Sequence, residues 1–366
     1  MFFLTLYLQL LMPQPLIVSS QPWFMAGFLL FVCIGLALDL GLFTKDKPHV
    51  LGFKEALWRT IGWITCGLLF SIVIYYFHHD LHGLYTNFDY AQYKEKYQAG
   101  FALLNNPEAT AHNFAIEVIT QYITGYFIEY SLSIDNLFVM MLIFRSFRVE
   151  EKYQKNVLLW GVIGAVVMRF VFIFVGSALL IRFHWLMYVF GGILLYSGFK
   201  LLFNKEDESE EFDVASHGVV KWASRIFPVS HAEHNGRFTL REQGKWMVTS
   251  LFLVLLVVEV TDLIFAVDSV PAILGITRDP YLVFFSNIFA IMGLRSLYFL
   301  LIHGLSGLHT LKYGLSIILI FVGFKMIFEH WFKSIGFNHF HNLIVLVSII
   351  AITVLFGLVI PDKKKA

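Results

Sequence analysis

The sequence predicts an all-α polytopic membrane protein: about nine transmembrane helices with a 3+3 inverted repeat (helices 3–5 and 6–8), the N-terminus outside and the C-terminus inside. Three observations predict it. Of 366 residues, 58% are hydrophobic and only 14% charged, where a soluble domain carries about a quarter charged residues. Mean hydropathy is +0.70. Apolar runs recur at the length that spans a bilayer, and lysine and arginine gather in alternate loops.

A spanning helix needs about 20 mostly apolar residues, and nine stretches qualify: roughly 23–43, 57–77, 117–144, 157–181, 185–203, 247–274, 281–303, 311–330 and 341–360. The N-terminal 20 residues are apolar and uncharged. Without the positive n-region of a secretory signal, they read as an extracytoplasmic lead-in. Loop 44–56 carries Lys45, Lys47 and Lys54; loop 145–156 carries Arg145, Arg148, Lys152 and Lys155. Loop 204–246 carries six basic residues, and the tail carries Lys363, Lys364 and Lys365. The intervening loops are poor in both, so the basic side is assigned to the cytoplasm. The whole chain, 1–366, is then one transmembrane domain. Residues 78–116 form an outer segment with some structure. Residues 204–246 form a cytoplasmic linker, whose acidic run Glu206–Glu211 reads as a solvated stretch.

Self-similarity defines the repeat, 117–203 and 247–330. Helix three contains Glu129-Tyr-Ser-Leu-Ser-Ile-Asp135-Asn136, and helix six contains Asp262-Leu-Ile-Phe-Ala-Val-Asp268-Ser269. The next helix of each set holds one arginine, Arg169 or Arg295. The third holds Gly-Phe-Lys, ending in Lys200 or Lys325. The arginine-to-lysine spacings are 31 and 30 residues. With three helices each, the two sets enter the membrane from opposite sides, and transporters built this way bind substrate near the midplane.

Charges inside a bilayer cost about 2.5–3.5 kcal/mol each at a helix centre on insertion scales. In or near the spans lie Asp39, Glu129, Asp135, Glu259, Asp262 and Asp268, against Arg169, Arg295 and Arg59. The acids are in excess, which suits a cation or protons. Taken alone, Glu129 with Arg169 and Asp262 with Arg295 read as ion pairs that hold helices together. Asp135 and Asp268 read as an ion site. Residues six apart on a helix point about 120° apart and sit about 9 Å apart along its axis. Ligands must therefore come from several helices, or the helix must break. Pro271 offers a break, since it leaves the Val267 carbonyl free beside Asp268. With Ser269, and with Asn136 beside Asp135, this gives an all-oxygen donor set suited to Mg, Ca or Mn.

Histidines gather near outer helix ends (His78, His79, His82, His330, His339, His341) and read as solvated loop residues, because no ligand spacing appears. The two cysteines, Cys33 and Cys66, have no CxxC spacing. No nucleophile motif or phosphate loop is present, so neither an enzyme nor an ATP-driven pump is expected.

The segments Leu36-Ala-Leu-Asp39-Leu-Gly41, Glu129 to Asn136, Glu259 to Ala272, Ala290 to Phe299 and Gly323-Phe-Lys325 resemble the TerC/Alx family of integral membrane proteins. The resemblance runs from about Trp23 to the C-terminus. It implies roles in tellurite resistance, manganese efflux and metal homeostasis, or in supplying metal to exported enzymes. It implies Asp39, Glu129, Asp135, Asn136, Asp262, Asp268 and Ser269 as metal-pathway residues. It assigns Arg169, Arg295, Lys200 and Lys325 to charge balance or gating. Tellurite is an oxyanion that an acid-lined path repels, so that resistance reads as indirect.

The expectation is an inner-membrane, multi-pass divalent metal transporter, a manganese exporter working by alternating access, with its energy coupling open and proton exchange on Asp135 or Asp268 one way to supply it. Mn2+ (or Ca2+ or Mg2+) is its substrate, no cofactor is permanently bound, and no nucleic acid is engaged. The rival is a non-transporting scaffold or metal-loading partner of a tellurite-resistance or secretion complex. A homo-oligomer is compatible with either.

Overall fold

A computed structural model describes residues 22–39, 52–203, 225–230, 236–242, 245–304 and 311–359. The N-terminal lead-in, residues 44–51, the acidic run and the lysine tail lie outside the described residues. So do the side chains of Asp39 and Asp135.

The elements are α1 (Pro22–Asp39), α2 (Phe53–His82), α3 (Asn87–Tyr97), α4 (Pro107–Ser146), α5 (Glu151–Arg182) and α6 (Leu186–Phe203). A small hairpin follows, β1 (Thr239–Glu242) and β2 (Lys245–Val248). Then come α7 (Ser250–Leu274), α8 (Pro280–Met292), α9 (Leu294–Gly304), α10 (Leu311–Ile327), α11 (Glu329–Ser334) and α12 (His339–Val359). The strands pair antiparallel, Thr239 against Val248 and Glu242 against Lys245.

Among the described residues, seven helical segments are long and apolar enough to cross a membrane, α8 and α9 together forming one of them. Two shorter apolar helices, Trp23–Leu38 and Tyr313–Ile327, fall where the sequence places the first and eighth spans. The outward faces are apolar. On α5, Trp160, Val167, Val171 and Val175 are all exposed, as expected where the solvent is lipid rather than water.

Local chemistry sets the ends. Asn106 caps α4, its side chain accepting from Glu108 N at 3.0 Å, with Pro107 in the first turn. That position suits proline because its missing N–H has no helical partner there. Gly83 ends α2 at φ 64°, a left-handed conformation that glycine adopts without penalty. Asp279 caps α8 through Tyr281 N at 2.9 Å, with Pro280 in the first turn. Residues 78–116 carry structure of their own. Thr86 and Asp89 form a reciprocal capping box on α3, whose Tyr90, Tyr93 and Tyr97 are buried.

Every residue of α8 is buried, as expected of a helix apolar all round. It lies at the centre, against α1, α2, α4, α5, α7 and α9. The broadest contact of the bundle is α6 on α10, followed by α4 on α8 and α5 on α7. Exchanging the two predicted sets maps α4–α8 onto α7–α5. It maps α6–α10, α4–α7 and α5–α8 onto themselves, and all of these contacts are present. At the α6–α10 crossing the backbones touch. A Cβ on Gly323 would lie 2.8 Å from the Gly191 carbonyl, and one on Gly191 would lie 3.0 Å from the Gly323 carbonyl. Small residues permit such close approach.

Candidate ion site in the helix core

Arg169, on α5, is fully buried and is the centre of the site. Its Nη1 is joined directly to Glu129 Oε1 of α4 and donates to Asn287 Oδ1 of α8 at 2.8 Å. Its Nη2 lies 3.6 Å from Asp262 Oδ1 of α7. Ser133 Oγ, one turn along α4, donates to Glu129 Oε1 at 3.3 Å. Four helices therefore converge on one guanidinium. Two carboxylates share it, so this buried group of side chains carries one negative charge in excess when ionised. Glu129 Oε2 and Arg169 Nε are buried without a hydrogen-bond partner. A buried charge left partly satisfied in this way is costly unless something further binds it.

Glu259 sits one turn before Asp262 on α7, so both project from one side of the helix. Its carboxylate packs on Gly164 of α5, where an added Cβ would have to displace it.

The remaining predicted residues fall into separate places. Asp268 is half-buried and accepts from Ser197 Oγ of α6 at 2.8 Å, with Lys200 within coulombic reach. Ser269 is buried and its hydroxyl has no partner. Asn136 is buried on α4. Arg295 is buried on α9. Lys200 is exposed, its ammonium 6.0 Å from the Tyr196 ring centre. Lys325 is buried and donates to the Gly275 carbonyl at 3.2 Å. No group of three His, Cys, Asp or Glu residues placed to hold a metal occurs among the described residues.

Three sequence expectations change. Asp262 is joined to Arg169 rather than to Arg295, because α5 packs on α7. The helix runs through Pro271 to Leu274, Gly275 N donating to Pro271 O at 2.9 Å. Ligands must therefore come from several helices, not from a broken α7. His78 and His82 are buried rather than solvated. His82 Nε2 lies 3.2 Å from Asp279 Oδ2, which also accepts from Tyr93 at 2.7 Å. Burial first, then the Asp279 carboxylate, pushes the Tyr93 hydroxyl well above its ordinary value, so it remains a donor. His339 is half-buried and lies 3.2 Å from Glu117, while His330 and His341 are exposed.

Asn287, Asp279 and Gly164 were not singled out from the sequence. The available signal for Asn287 was an amide inside an otherwise apolar span, Phe284-Phe-Ser-Asn287-Ile-Phe289.

Apolar spans around an intramembrane charge cluster define a polytopic integral membrane protein. The chain belongs to the integral membrane protein TerC family, whose model matches residues 114–365. It is 40% identical over 309 residues to an uncharacterized membrane protein, STKORF319, of Myxococcus xanthus, covering 84% of each chain. It is 38% identical over 308 residues to the putative membrane-bound redox modulator Alx of Salmonella typhi, covering 84% of this chain and 86% of the relative. The protein of that name from Escherichia coli K12 is 35% identical over 334 residues, covering 90% and 94%. No solved structure matches.

Proposed function

We propose that this protein is an inner-membrane transporter of divalent metal cations, with Mn2+ exported as the leading substrate. The observation that carries the reading is the sharing of Arg169 by Glu129 and Asp262, one acid from each set of three helices. A pair balanced one to one needs nothing more. Two acids on one arginine leave a buried negative charge that a cation or a proton must meet. The donors nearby are oxygens of Glu, Asp, Asn and Ser, which suit hard cations. Asp39, Asp135, Asn136, Asp268 and Ser269 complete the pathway. Arg169, Arg295, Lys200 and Lys325 balance charge or gate. The two sets, 117–203 and 247–330, form an inverted repeat joined by a cytoplasmic linker, with the N-terminus outside and the tail inside. They expose the site to each side in turn, and protons return through Asp135 or Asp268.

The test is Mn2+ flux in proteoliposomes with a pH dye inside. Asp135→Asn and Asp268→Asn should each abolish flux while the protein still inserts and folds. A proton signal matched to Mn2+ movement identifies the counter-ion. A second reading is favoured by the name of the Alx relatives, putative membrane-bound redox modulator: a membrane partner that modulates redox state without moving an ion. It predicts that both substitutions are silent and that changes in the outer segment 78–116 matter.

A further inference from the structure

Where α7 ends and α8 and α12 begin, on the side away from the basic loops, two polar cavities adjoin. The wider, about 680 Å3, is lined by Lys94, Glu95 and Gly100 beside α3 and by Asn338 and His339 before α12. Glu95, Gly100 and Asn338 are exposed, so this cavity meets the exterior. The narrower, about 60 Å3, shares Gln98, Phe337, Asn338 and His339 with it. It continues to Thr277, Arg278, Lys325, Glu329 and Asn342. Arg278, Lys325 and Asn342 are each at most 8% exposed. The two cavities thus form a passage that narrows from open surface to buried charge.

The narrow part is suited to water. Asn342 Oδ1 and Arg278 Nη1 are buried with no hydrogen-bond partner from the protein. Buried polar atoms left over in this way are ordinarily satisfied by ordered water, and a cavity of about 60 Å3 has room for at least one molecule. The contrast is a cavity of about 400 Å3 between α1, α2 and α8, lined by Trp23, Phe28, Cys66 and Phe70 with almost no polar surface. A cavity of that kind stays dry.

At the bottom of the passage, Lys325 Nζ donates to the Gly275 carbonyl at 3.2 Å. Gly275 closes the C-terminal end of α7, the helix that bears Asp262 and Asp268. The last carbonyls of a helix carry partial negative charge and attract cations. The carboxylate of Glu329, held by Arg278 at 3.2 Å, and Asn342 line the same narrow cavity as Gly275 and Lys325. Oxygens gathered like this suit a cation, and the Lys325 ammonium is already bonded to one of them, the Gly275 carbonyl.

We propose that Lys325 is a built-in cation that closes an extracytoplasmic vestibule, competing with the departing metal ion for the oxygen atoms at the end of α7. This rests on the transport reading above. An ion leaving toward this side must displace the ammonium, and the ammonium returns once the ion has gone. The tether keeps the passage shut to other cations between cycles.

The experiment uses full-length protein in intact cells, with Cys33 and Cys66 replaced by serine and Thr277→Cys introduced. A charged, membrane-impermeant thiol reagent is added outside. Thr277→Cys should be modified slowly, and Lys325→Gln should speed the reaction about fivefold or more, the low end of an ordinary coupling between two sites. Lys325→Arg, which keeps a cation on the tether, should leave the rate near that of the parent. Cys66, left alone in a parallel variant, should not react, because its cavity is apolar. If Lys325→Gln accumulates poorly, Lys325→Met takes its place in the same comparison. Absence of labelling from outside, or a rate indifferent to residue 325, overturns the proposal. This readout needs no metal. If it succeeds while the wild type moves no Mn2+, the vestibule and its lysine stand and the transport reading falls. With Mn2+ present, protection of Thr277→Cys in the Lys325→Gln variant is expected, and its absence overturns the competition between ion and lysine.

Discussion

Arg169 holds two carboxylates and an amide from three other helices. Replacing it by methionine leaves Glu129 and Asp262 without their cation in the interior. Breaking a buried pair from one side costs about 3–5 kcal/mol, and two acids lose their partner here. Arg169→Met should therefore accumulate poorly or show a sharply lowered unfolding midpoint in detergent, read by thermal scanning. Arg169→Lys should fall between it and the parent, since one ammonium cannot reproduce the planar fork that reaches Glu129, Asp262 and Asn287 together. The Glu129–Arg169 pair was legible in the sequence, because Arg169 is the one strong charge inside its span and Glu129 lies near the middle of the span before it. Its extension to Asp262 was not. The sequence assigns each set its own arginine, but α5 of the first set packs against α7 of the second. The arginine of one set therefore reaches the acid of the other. That exchange is a property of helix packing, which spacing along a chain does not encode.

Individual helices show which local features carry the architecture. The α6–α10 crossing depends on glycine at Gly323, where an added Cβ would lie 2.8 Å from the Gly191 carbonyl and 3.0 Å from Leu195 N. Backbone cannot retreat cheaply, so Gly323→Ala should destabilise by about 1–3 kcal/mol, the usual cost of overpacking. Gly192, adjacent to Gly191, has nothing within 4 Å of such a Cβ, and Gly192→Ala is the neutral control in the same thermal scan. Both glycines of the Gly191-Gly192 pair were visible as small residues, but only a structure distinguishes the one at the crossing. The segment 78–116 illustrates the opposite case. Its helix α3 spans 11 residues of tyrosine, lysine and polar side chains, too short and too polar to stand out as periodic. What secures it is the capping box and three buried tyrosines. Chiefly the Thr86 hydroxyl, helped by the backbone N–H groups of Thr86 and Tyr85, holds the Asp89 carboxyl below its ordinary value. A depressed value in the folded state means that this contribution is present above the unfolded carboxylate value, about 4, and is lost as pH falls through the folded one. The part of the segment's protease resistance that depends on this cap, read as the difference in nicking rate between the parent and Thr86→Ala, should thus hold from neutral pH to about pH 5 and shrink only in stronger acid. Thr86→Ala, at about 1 kcal/mol for a lost cap, should raise the nicking rate at neutral pH.

The arrangement of the whole molecule follows from interleaving. Neither set of three helices forms a closed body: α8 of the second set is buried on α4 of the first, and α5 of the first on α7 of the second. Seven of the nine expected spans were legible as long apolar helices among the described residues, because bilayer thickness fixes their length, and the recurring acid, arginine and glycine-lysine motifs suggested the two sets. How the sets clasp one another was hidden, since buried contacts between apolar faces leave no periodic signature of their partner. This clasp makes a strong demand on the proposed transport cycle. If the site is exposed to alternate sides by one set moving against the other, the α4–α8 contact must slide or open. At that contact a Cβ on Gly125 would lie 3.5 Å from Ser286 Cβ, within the separation of about 3.5–4.5 Å that a disulfide bridges. Gly125→Cys with Ser286→Cys, in a background lacking Cys33 and Cys66, should therefore form a bond under mild oxidation that ties one set to the other. Mn2+ flux in proteoliposomes should drop to background when the bond forms and return on reduction with a thiol. Each single cysteine variant, treated identically, should keep its flux. A cross-linked protein that transports at the parent rate would mean that α4 and α8 travel as one body. The moving boundary would then lie elsewhere, and alternation of set against set would have to be abandoned for a smaller rearrangement around Arg169.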